Sequence, residues 1–428
     1  MPHTKLRINQ TRFLGTIDEM AQIGLLPDEA GGGRDRRPFS AADRAARRYF
    51  RAAAEAGGLR VRLDQAANLS AILECPNEDA PTLLLGSHLD TVPHGGAYDG
   101  ALGVLAGLEV ALTLKESGIP LKFQVEVVDF TDEEGRFGYF FGSRALTGGH
   151  SEASIAEFLD AAGEAEEYDD LPAMWAQVPG QLDPDAILAA RRAPDSLVGY
   201  LELHIEQGPR LESAGAQIGV VSAIFGRRAW YLTFLGRADH AGTTPLGLRA
   251  DALVAAARFI AAAPERVAAD FPEAVVTCGN VEVKPGVANV TPRQVTVWVE
   301  FRAGTEAELD GIDQALRRLA EEAAAGPVLA VQVDARSSSH PTPMDSGMQS
   351  LIQQAADSLG YATLSLPSGA GHDAQMLAAV TPTGMLFVPS KDGRSHSPAE
   401  YTPPEDLVAG ANVLLHAVLA LAQPSGQM

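Results

Sequence analysis

TLLLGSHLDTVPHGGAYDGALGVLAGLEVALTLKESGIPLKFQVEVVDFTDEEG, residues 82–135, decides the fold. Residues 82–85 form a short apolar run, residues 101–116 an apolar stretch of helical length, and residues 121–130 a second strand-length run. Apolar runs of this length, bounded by Gly, Pro or Asp, read as strands buried on both faces. A helix between two of them is the crossover unit of a parallel sheet. Residues 197–205 and 384–388 are two more runs of the same kind. The expectation is therefore an α/β fold, with a mixed, mostly parallel sheet flanked by helices. Ligands collect beyond the carboxyl ends of such strands, and all four runs lead into segments rich in ionisable side chains.

The character changes between residues 214 and 327. Residues 217–224 and 229–235 read as strands and 248–263 as a helix. Strands at 274–283 and 294–302 follow, then a helix at 306–324. This ββαββα order predicts a small four-stranded antiparallel sheet with two helices on one face. A chain of 428 residues exceeds the usual single core. The division expected is residues 1–213 and 330–428 for the larger domain, interrupted by a smaller one at 214–329. Residues 160–195, rich in Ala, Asp, Glu and Pro, read as surface helices and loops.

Composition narrows the function. A hydrophobic share of 46% with 21% charged residues is that of an ordinary globular protein. A net charge of -22 opposes phosphate backbones and anionic headgroups, so neither nucleic acid nor a membrane is an expected partner. Divalent ions and an arginine reverse the potential locally, so an anionic small molecule remains compatible. Two cysteines, Cys75 and Cys278, are too few for a disulfide framework. Residues 1–20 lack the continuous apolar stretch of a signal peptide, and a cytoplasmic location is expected. Apolar stretches at 101–114 and 407–422 are interrupted by Glu109, Asn412 and His416 and read as buried helices.

The chemistry-bearing residues follow the strands one by one. His88 ends the first run, and Asp90 is placed to hold its second ring nitrogen. Asp99, at the turn before the first helix, is a short carboxylate able to bridge two cations. In Thr131-Asp132-Glu133-Glu134-Gly135, neighbouring side chains leave an extended backbone in different directions. Glu134 is then a candidate ligand and Glu133 the general base that accepts a proton from activated water, with Asp132 a rival for that role. His204 closes the third run and His396 follows the fourth. With Asp99 shared, His88 and His204 complete one three-ligand set while Glu134 and His396 complete another, the number of protein ligands a catalytic zinc commonly takes. Mn, Co and Ni fit the same mixed set. Taken singly, a histidine at a strand end is more often a hydrogen-bonded structural residue, and adjacent glutamates are more often a solvated face. It is their recurrence after separate buried strands that points to a two-metal hydrolase.

These residues sit in strings that closely resemble the amidase, hydantoinase and carbamoylase family of dinuclear metal hydrolases. They are GGGRDRRPFSAADRAAR from Gly31, GSHLDTVPHGGAYDGALGVL from Gly86, DEEG from Asp132, LELHIEQGPRLE from Leu201, GRADHAGTTPLGLRADA from Gly236, SGAGHDA from Ser368 and FVPSKDGRSHSPAE from Phe387. The resemblance implies a metal-binding domain interrupted by a lid and dimerisation domain, a homodimer, two divalent ions bridged by Asp99, and Glu133 rather than Asp132 as base. It also implies that His240 stabilises the oxyanion, that Arg302 grips a substrate carboxylate, and that Gln207, Asn289, Gly371 and His372 contact the substrate. Without the resemblance, His240 would be a loop residue, Arg302 a salt bridge at a strand end, and Gln207 or Asn289 a turn cap.

The activity implied is hydrolysis of the ureido C–N bond of an N-carbamoyl-L-amino acid to the amino acid, ammonia and carbon dioxide. Allantoate and β-ureidopropionate are alternative substrates. An aminoacylase or dipeptidase, and an inactive binding protein on the same scaffold, are further readings. Two departures from the family pattern bear on substrate selection. Gly135 is followed directly by Arg136, and Glu300 stands where an aspartate is usual.

Overall fold

The structure, a computed structural model, describes residues 5–163, 183–326 and 329–422. It comprises two compact units, one of Met1–Ser222, Met344–Leu366 and Gly371–Met428, the other of Ala223–Pro343 with Pro367–Ala370. In chain order the strands are β1 (Arg60–Leu63), β2 (Leu69–Leu73), β3 (Thr82–His88), β4 (Gln124–Phe130), β5 (Leu197–Ile205), β6 (Ile218–Ile224) and β7 (Gly226–Leu235). They continue with β8 (Val275–Lys284), β9 (Gln294–Ala303), β10 (Ala330–Ser339), β11 (Thr342–Pro343), β12 (Thr363–Ser368) and β13 (Thr383–Val388).

The first unit is built on a mixed sheet of order β1-β2-β4-β3-β5-β13-β6. Its centre is parallel, since β3 pairs in parallel with β4 and β5, and β13 with β5. The flanks are antiparallel: β1 to β2, β2 to β4 and β6 to β13. The four central strands are the four apolar runs of the sequence, and their carboxyl ends lie along one edge. Side chains alternate across each strand. Leu83 and Leu85 of β3, Leu201 and Leu203 of β5, and Leu386 of β13 enter the main core with residues of helices Ala101–Ser117 and Pro404–Ala422. Each such burial stabilises by about 1.5–3 kcal/mol. The alternate set, His88 on β3 with Glu202 and His204 on β5, therefore emerges from the opposite face, and the register Leu84↔Tyr200 keeps the two strands in phase.

Helix Pro404–Ala422 is the one described helix long and apolar enough to cross a membrane. It packs instead as a core helix, and its polar residues fasten the start of the chain. Asn412 Oδ1 accepts the Ile8 N–H at 3.1 Å, and His416 Nε2 lies 2.9 Å from the Leu6 carbonyl.

The second unit has the order β10-β7-β9-β8, antiparallel throughout. Trp230, Leu232 and Phe234 of β7 and Val295, Val297, Val299 and Phe301 of β9 share a core with helices Ala252–Asp270 and Glu306–Ala323. Its element order is βαββαβ, not the ββαββα expected, and its limits differ from 214–329. The strand at 218–224 belongs to the large sheet, paired with β13, while β10, assigned by the sequence to the larger domain, completes the small sheet. Periodicity identifies a strand but not its partner. In β10 (AVQVDARSSS) most side chains are exposed, so no apolar run marks it. Of residues 160–195, helices Glu152–Gly163 and Pro184–Leu188 flank the segment, and 164–182 lie outside the described residues.

Candidate metal centre

Each central strand delivers one piece of the site. His88 is the last residue of β3, Glu133 and Glu134 follow β4, His204 is next to last in β5, and His396 follows β13. Asp99 precedes helix Ala101–Ser117. Between Asp99 and that helix, Gly100 has φ +62°, and a Cβ there would lie 2.4 Å from the His88 ring, so only glycine lets the turn close on the imidazole.

The other four candidate side chains, His88, Glu134, His204 and His396, gather around Asp99. Its Oδ1 is 3.1 Å from His204 Nε2 and 3.7 Å from His88 Nε2, and its Oδ2 is 3.0 Å from His396 Nε2. His396 Nε2 is in turn 3.7 Å from Glu134 Oε1. The donor atoms of His88, Asp99 and His204 all lie within 4.8 Å of one another, as do those of Asp99, Glu134 and His396. The two triplets share Asp99. His88 Nδ1 lies 3.0 Å from the Asp90 carbonyl and His204 Nδ1 2.9 Å from the Ile205 carbonyl. Both rings therefore donate from Nδ1 and turn Nε2 inward.

The residues fit a cation in two further respects. Glu134 Oε1 is buried and accepts no hydrogen bond, an arrangement that calls for an ion or a water. Buried carboxylates also crowd the site and push one another up. Burial, then Asp373 and Glu134, raises Glu133 well above the usual carboxylate range; burial and Asp99 bring Glu134 to about 8. Asp99 is the exception, for although burial opposes its charge, hydrogen bonds to His204 and His396 hold it well below the ordinary value. Burial brings His88 down to about 4.

Asp90 acts otherwise than expected. Its carboxylate is 3.6 Å from His88 Nδ1, and the close contact to the ring is its backbone carbonyl. The carboxylate instead accepts the backbone N–H of Glu134 at 3.1 Å and faces that of Glu133 at 3.5 Å, tying the loop after β4 to the end of β3. Gln207 is engaged at the centre itself. Its Nε2 donates to Asp99 Oδ2 at 2.9 Å and reaches Ser395 Oγ at 3.2 Å, leaving a buried Oε1 without a hydrogen bond. Gln207 (φ +59°) and His396 (φ +51°) both adopt left-handed backbone, a strain characteristic of functional loops.

His372 packs edge-on against His204 with ring centroids 4.5 Å apart, and burial with His204 holds it well below its ordinary pKa. A Cβ on Gly371 would lie 2.7 Å from Phe140, so that glycine lets the wall close. Sequence reasoning passed over Glu202, Asp373 and Glu400. Glu202 is buried two residues before His204 and accepts Ser87 Oγ at 2.8 Å and the Ala374 N–H at 3.0 Å. The strand period alone puts it on the face of His204, which was a usable signal.

The remaining candidates lie in the second unit. His240 Nδ1 accepts the N–H of Gly242 at 3.0 Å and of Thr243 at 3.2 Å, which leaves the ring proton on Nε2. The Asn289 carbonyl accepts the Ala241 N–H at 3.0 Å, so the loops of His240 and Asn289 adjoin. Arg302 Nε donates to Glu300 Oε1 at 2.9 Å and its Nη1 to the Gly369 carbonyl at 2.8 Å. Glu300 also takes Arg227 Nη1 at 3.1 Å. The departure at 300 thus bears directly on Arg302.

Comparison with known proteins agrees with this geometry. Residues 84–420 match the Peptidase family M20/M25/M40, and the chain belongs to that family, whose members are metal-dependent. It is similar to an N-carbamoyl-L-amino acid amidohydrolase of Geobacillus stearothermophilus, 39% identical over 97% of this chain and 99% of that protein. It is also similar to an allantoate amidohydrolase of Escherichia coli (strain K12), 34% identical over 96% and 99%. Among solved structures, a hydantoinase/carbamoylase family amidase from Burkholderia ambifaria is 34% identical, covering 99% of this chain and 100% of its own, with a TM-score of 0.85.

Proposed function

We propose that this chain is a two-metal amidohydrolase that cleaves the ureido C–N bond of an N-carbamoyl-L-amino acid. The observation that carries the reading is the sharing of Asp99 between two three-residue donor sets, with Glu133 beside both. His88, Asp99 and His204 would hold one divalent ion, and Asp99, Glu134 and His396 the other. Zinc suits the set best, with Mn, Co or Ni compatible. Such ions, when bound, polarise a carbonyl and bring the acidity of water near neutrality.

The chain's own residues do the rest. Glu133, whose Oε2 is 3.4 Å from His88 Nε2, accepts the proton of the attacking water and returns it to the leaving nitrogen. One water adds across the C–N bond, the amino acid leaves, and the carbamic acid separates into ammonia and carbon dioxide. His240 offers its Nε2–H to the oxyanion. Gln207 Oε1, an acceptor without a donor, takes an N–H of the carbamoyl group, with Gly371 and His372 as neighbouring wall. Arg302, whose Nε and Nη2 both face Glu300 Oε1 and whose Nη1 donates to the Gly369 carbonyl, holds the substrate carboxylate through its remaining N–H groups, and Asn289 adds a polar contact.

Allantoate is the second reading, favoured by the Escherichia coli relative, whose match covers almost the same length. Ammonia release from metal-loaded protein decides between them, using a panel of N-carbamoyl-L-amino acids, β-ureidopropionate and allantoate, with N-acetyl amino acids and dipeptides as ordinary amides. Turnover of carbamoyl amino acids well above the others is expected. Preference for allantoate would move the assignment, and no turnover with any of them would leave a binding protein.

The reading includes a cytoplasmic homodimer formed through the inserted unit. Support comes from β8, an edge strand with exposed Val275 and Val281, and from exposed Leu246, Leu248, Leu253 and Val254. Both cysteines are free, as a reducing compartment keeps them. Light scattering should give twice the chain mass.

A further inference from the structure

We infer that Glu400 is a positioning residue that sets the bridging carboxylate of Asp99, and that Gly96 is glycine in order to admit it. The inference rests on the two-metal reading above, for it concerns how one ligand is held. Glu400 is buried, four residues beyond His396 and about three hundred beyond Asp99 in the chain. Its Oε1 accepts two successive backbone N–H groups, Tyr98 at 2.8 Å and Asp99 at 3.1 Å. Its Oε2 is 2.9 Å from Ser395 Oγ.

Proton counting gives this contact a direction. Ser395 has one hydroxyl proton and two acceptors within reach, Glu400 Oε2 at 2.9 Å and Asp99 Oδ2 at 3.3 Å. The closer contact takes it. Gln207 Nε2 has two protons and donates one to Asp99 Oδ2 and one to Ser395 Oγ. The network therefore runs from Gln207 through Ser395 to Glu400, and Asp99 Oδ2 accepts one side-chain donor from it rather than two. Glu400 thus holds the Asp99 backbone in place and draws away a proton that would otherwise compete for the oxygen facing His396.

Gly96 completes the device. A Cβ at that position would lie 1.9 Å from Glu400 Oε1 and 2.0 Å from its Cδ, so any side chain drives the carboxylate off the amides. The clamp also ties the turn that carries His396, which is half exposed and has left-handed backbone, to the loop that carries Asp99. Two of the three residues of the second ion set, Asp99 and His396, are thereby preset before an ion arrives.

The test is metal affinity, measured by chelator competition with zinc on the full chain, together with zinc stoichiometry after gel filtration and circular dichroism to confirm folding. Glu400→Ala and Gly96→Ala should each weaken one of the two ions by about 10–100-fold, the usual range for groups behind a metal ligand. Glu400→Gln, which keeps the amide acceptor but turns an N–H toward Ser395, should weaken it less than Glu400→Ala. In the double variant Gly96→Ala should add nothing, because the carboxylate it displaces is gone. Wild-type affinity in Glu400→Ala, or additive losses in the double variant, would overturn the inference. Asp99→Ala separates the two levels: two zinc ions retained there would remove the two-metal reading itself, whereas their loss there with none in Glu400→Ala would remove only the clamp.

Discussion

Asp132 and Glu133 are adjacent in the chain and their carboxylates are engaged in opposite ways. Asp132 accepts three backbone N–H groups, from Arg136 at 2.8 Å, Phe137 at 3.0 Å and Gly138 at 2.9 Å. Glu133 instead turns its Oε2 toward His88 Nε2 at 3.4 Å. A carboxylate saturated by the amides of its own loop is a poor proton acceptor for water, which supports the proposal of Glu133 over Asp132 as the base. Glu133→Gln should keep both metal ions and lose about 10²–10⁴-fold in kcat. Metal content by mass spectrometry and a turnover assay check this, and unchanged kcat would exclude the role.

Asp132→Asn should behave differently. It removes acceptor capacity from a buried loop and leaves at least one amide unsatisfied, at a cost of about 1–3 kcal/mol. The expected signature is a lower melting temperature with kcat largely retained in the folded fraction. A loss of kcat matching that of Glu133→Gln, with melting unchanged, would return Asp132 to contention.

Asp90→Ala should detach Glu134 from the end of β3. Its carboxylate joins the two loops that supply His88 and Glu134, so its loss is expected to weaken zinc by about 10–100-fold without moving KM. Isothermal titration of the metal-free protein measures it. Wild-type affinity would show that the β4 loop is held by other contacts.

The strands and the candidate ligands were legible for a common reason: a strand buried on both faces cannot hide its apolar run, and a candidate ligand at its carboxyl end follows immediately in sequence. That is why Leu197–Ile205 with His204, and Gln124–Phe130 with Glu134, could be read directly. β6 and β10 were exchanged between sheets because alternation records a face and not a neighbour. The partners of Asp90 and Glu400 were hidden more deeply. Both carboxylates engage backbone amides, and an amide has no residue type to betray it. Glu400 ends the segment FVPSKDGRSHSPAE, yet nothing in its spacing from Gly96 foretells a contact between residues about three hundred apart.

Arg302→Lys should raise KM for carboxylate-bearing substrates by about tenfold or more while leaving kcat near its original value, because an ammonium cannot reproduce the two-pronged guanidinium contact. Glu300→Gln removes a charge from the same group and should lower KM for those substrates, since Nε of Arg302 is then no longer paired with a carboxylate. Substrate carboxamides should respond to neither change. Equal effects on acids and carboxamides would show that Arg302 acts on the fold of the unit and not on the substrate.

Metal uptake should release protons, and its pH dependence has a definite sign. In the metal-free protein burial opposes the charge on His204, but the hydrogen bond to Asp99 and the Asp99 charge outweigh it and bring its pKa to about 9. The Asp99 hydrogen bond, against burial, brings His396 to about 9 as well. An imidazole must lose its proton to bind a metal, so below pH 9 each of these rings competes against its own protonation, and zinc affinity should fall by up to tenfold per pH unit for each ring. Stability runs the other way in the metal-free state. A raised histidine pKa contributes stability that is fully present below about 6.5 and is lost as pH rises through about 9. Glu134, raised to about 8, adds to the same decline up to that pH. Metal-free protein should therefore melt progressively lower between pH 6.5 and 9, whereas zinc-loaded protein should gain over the same interval as affinity rises. Parallel melting curves for the two forms would show that His204 and His396 do not exchange protons for metal.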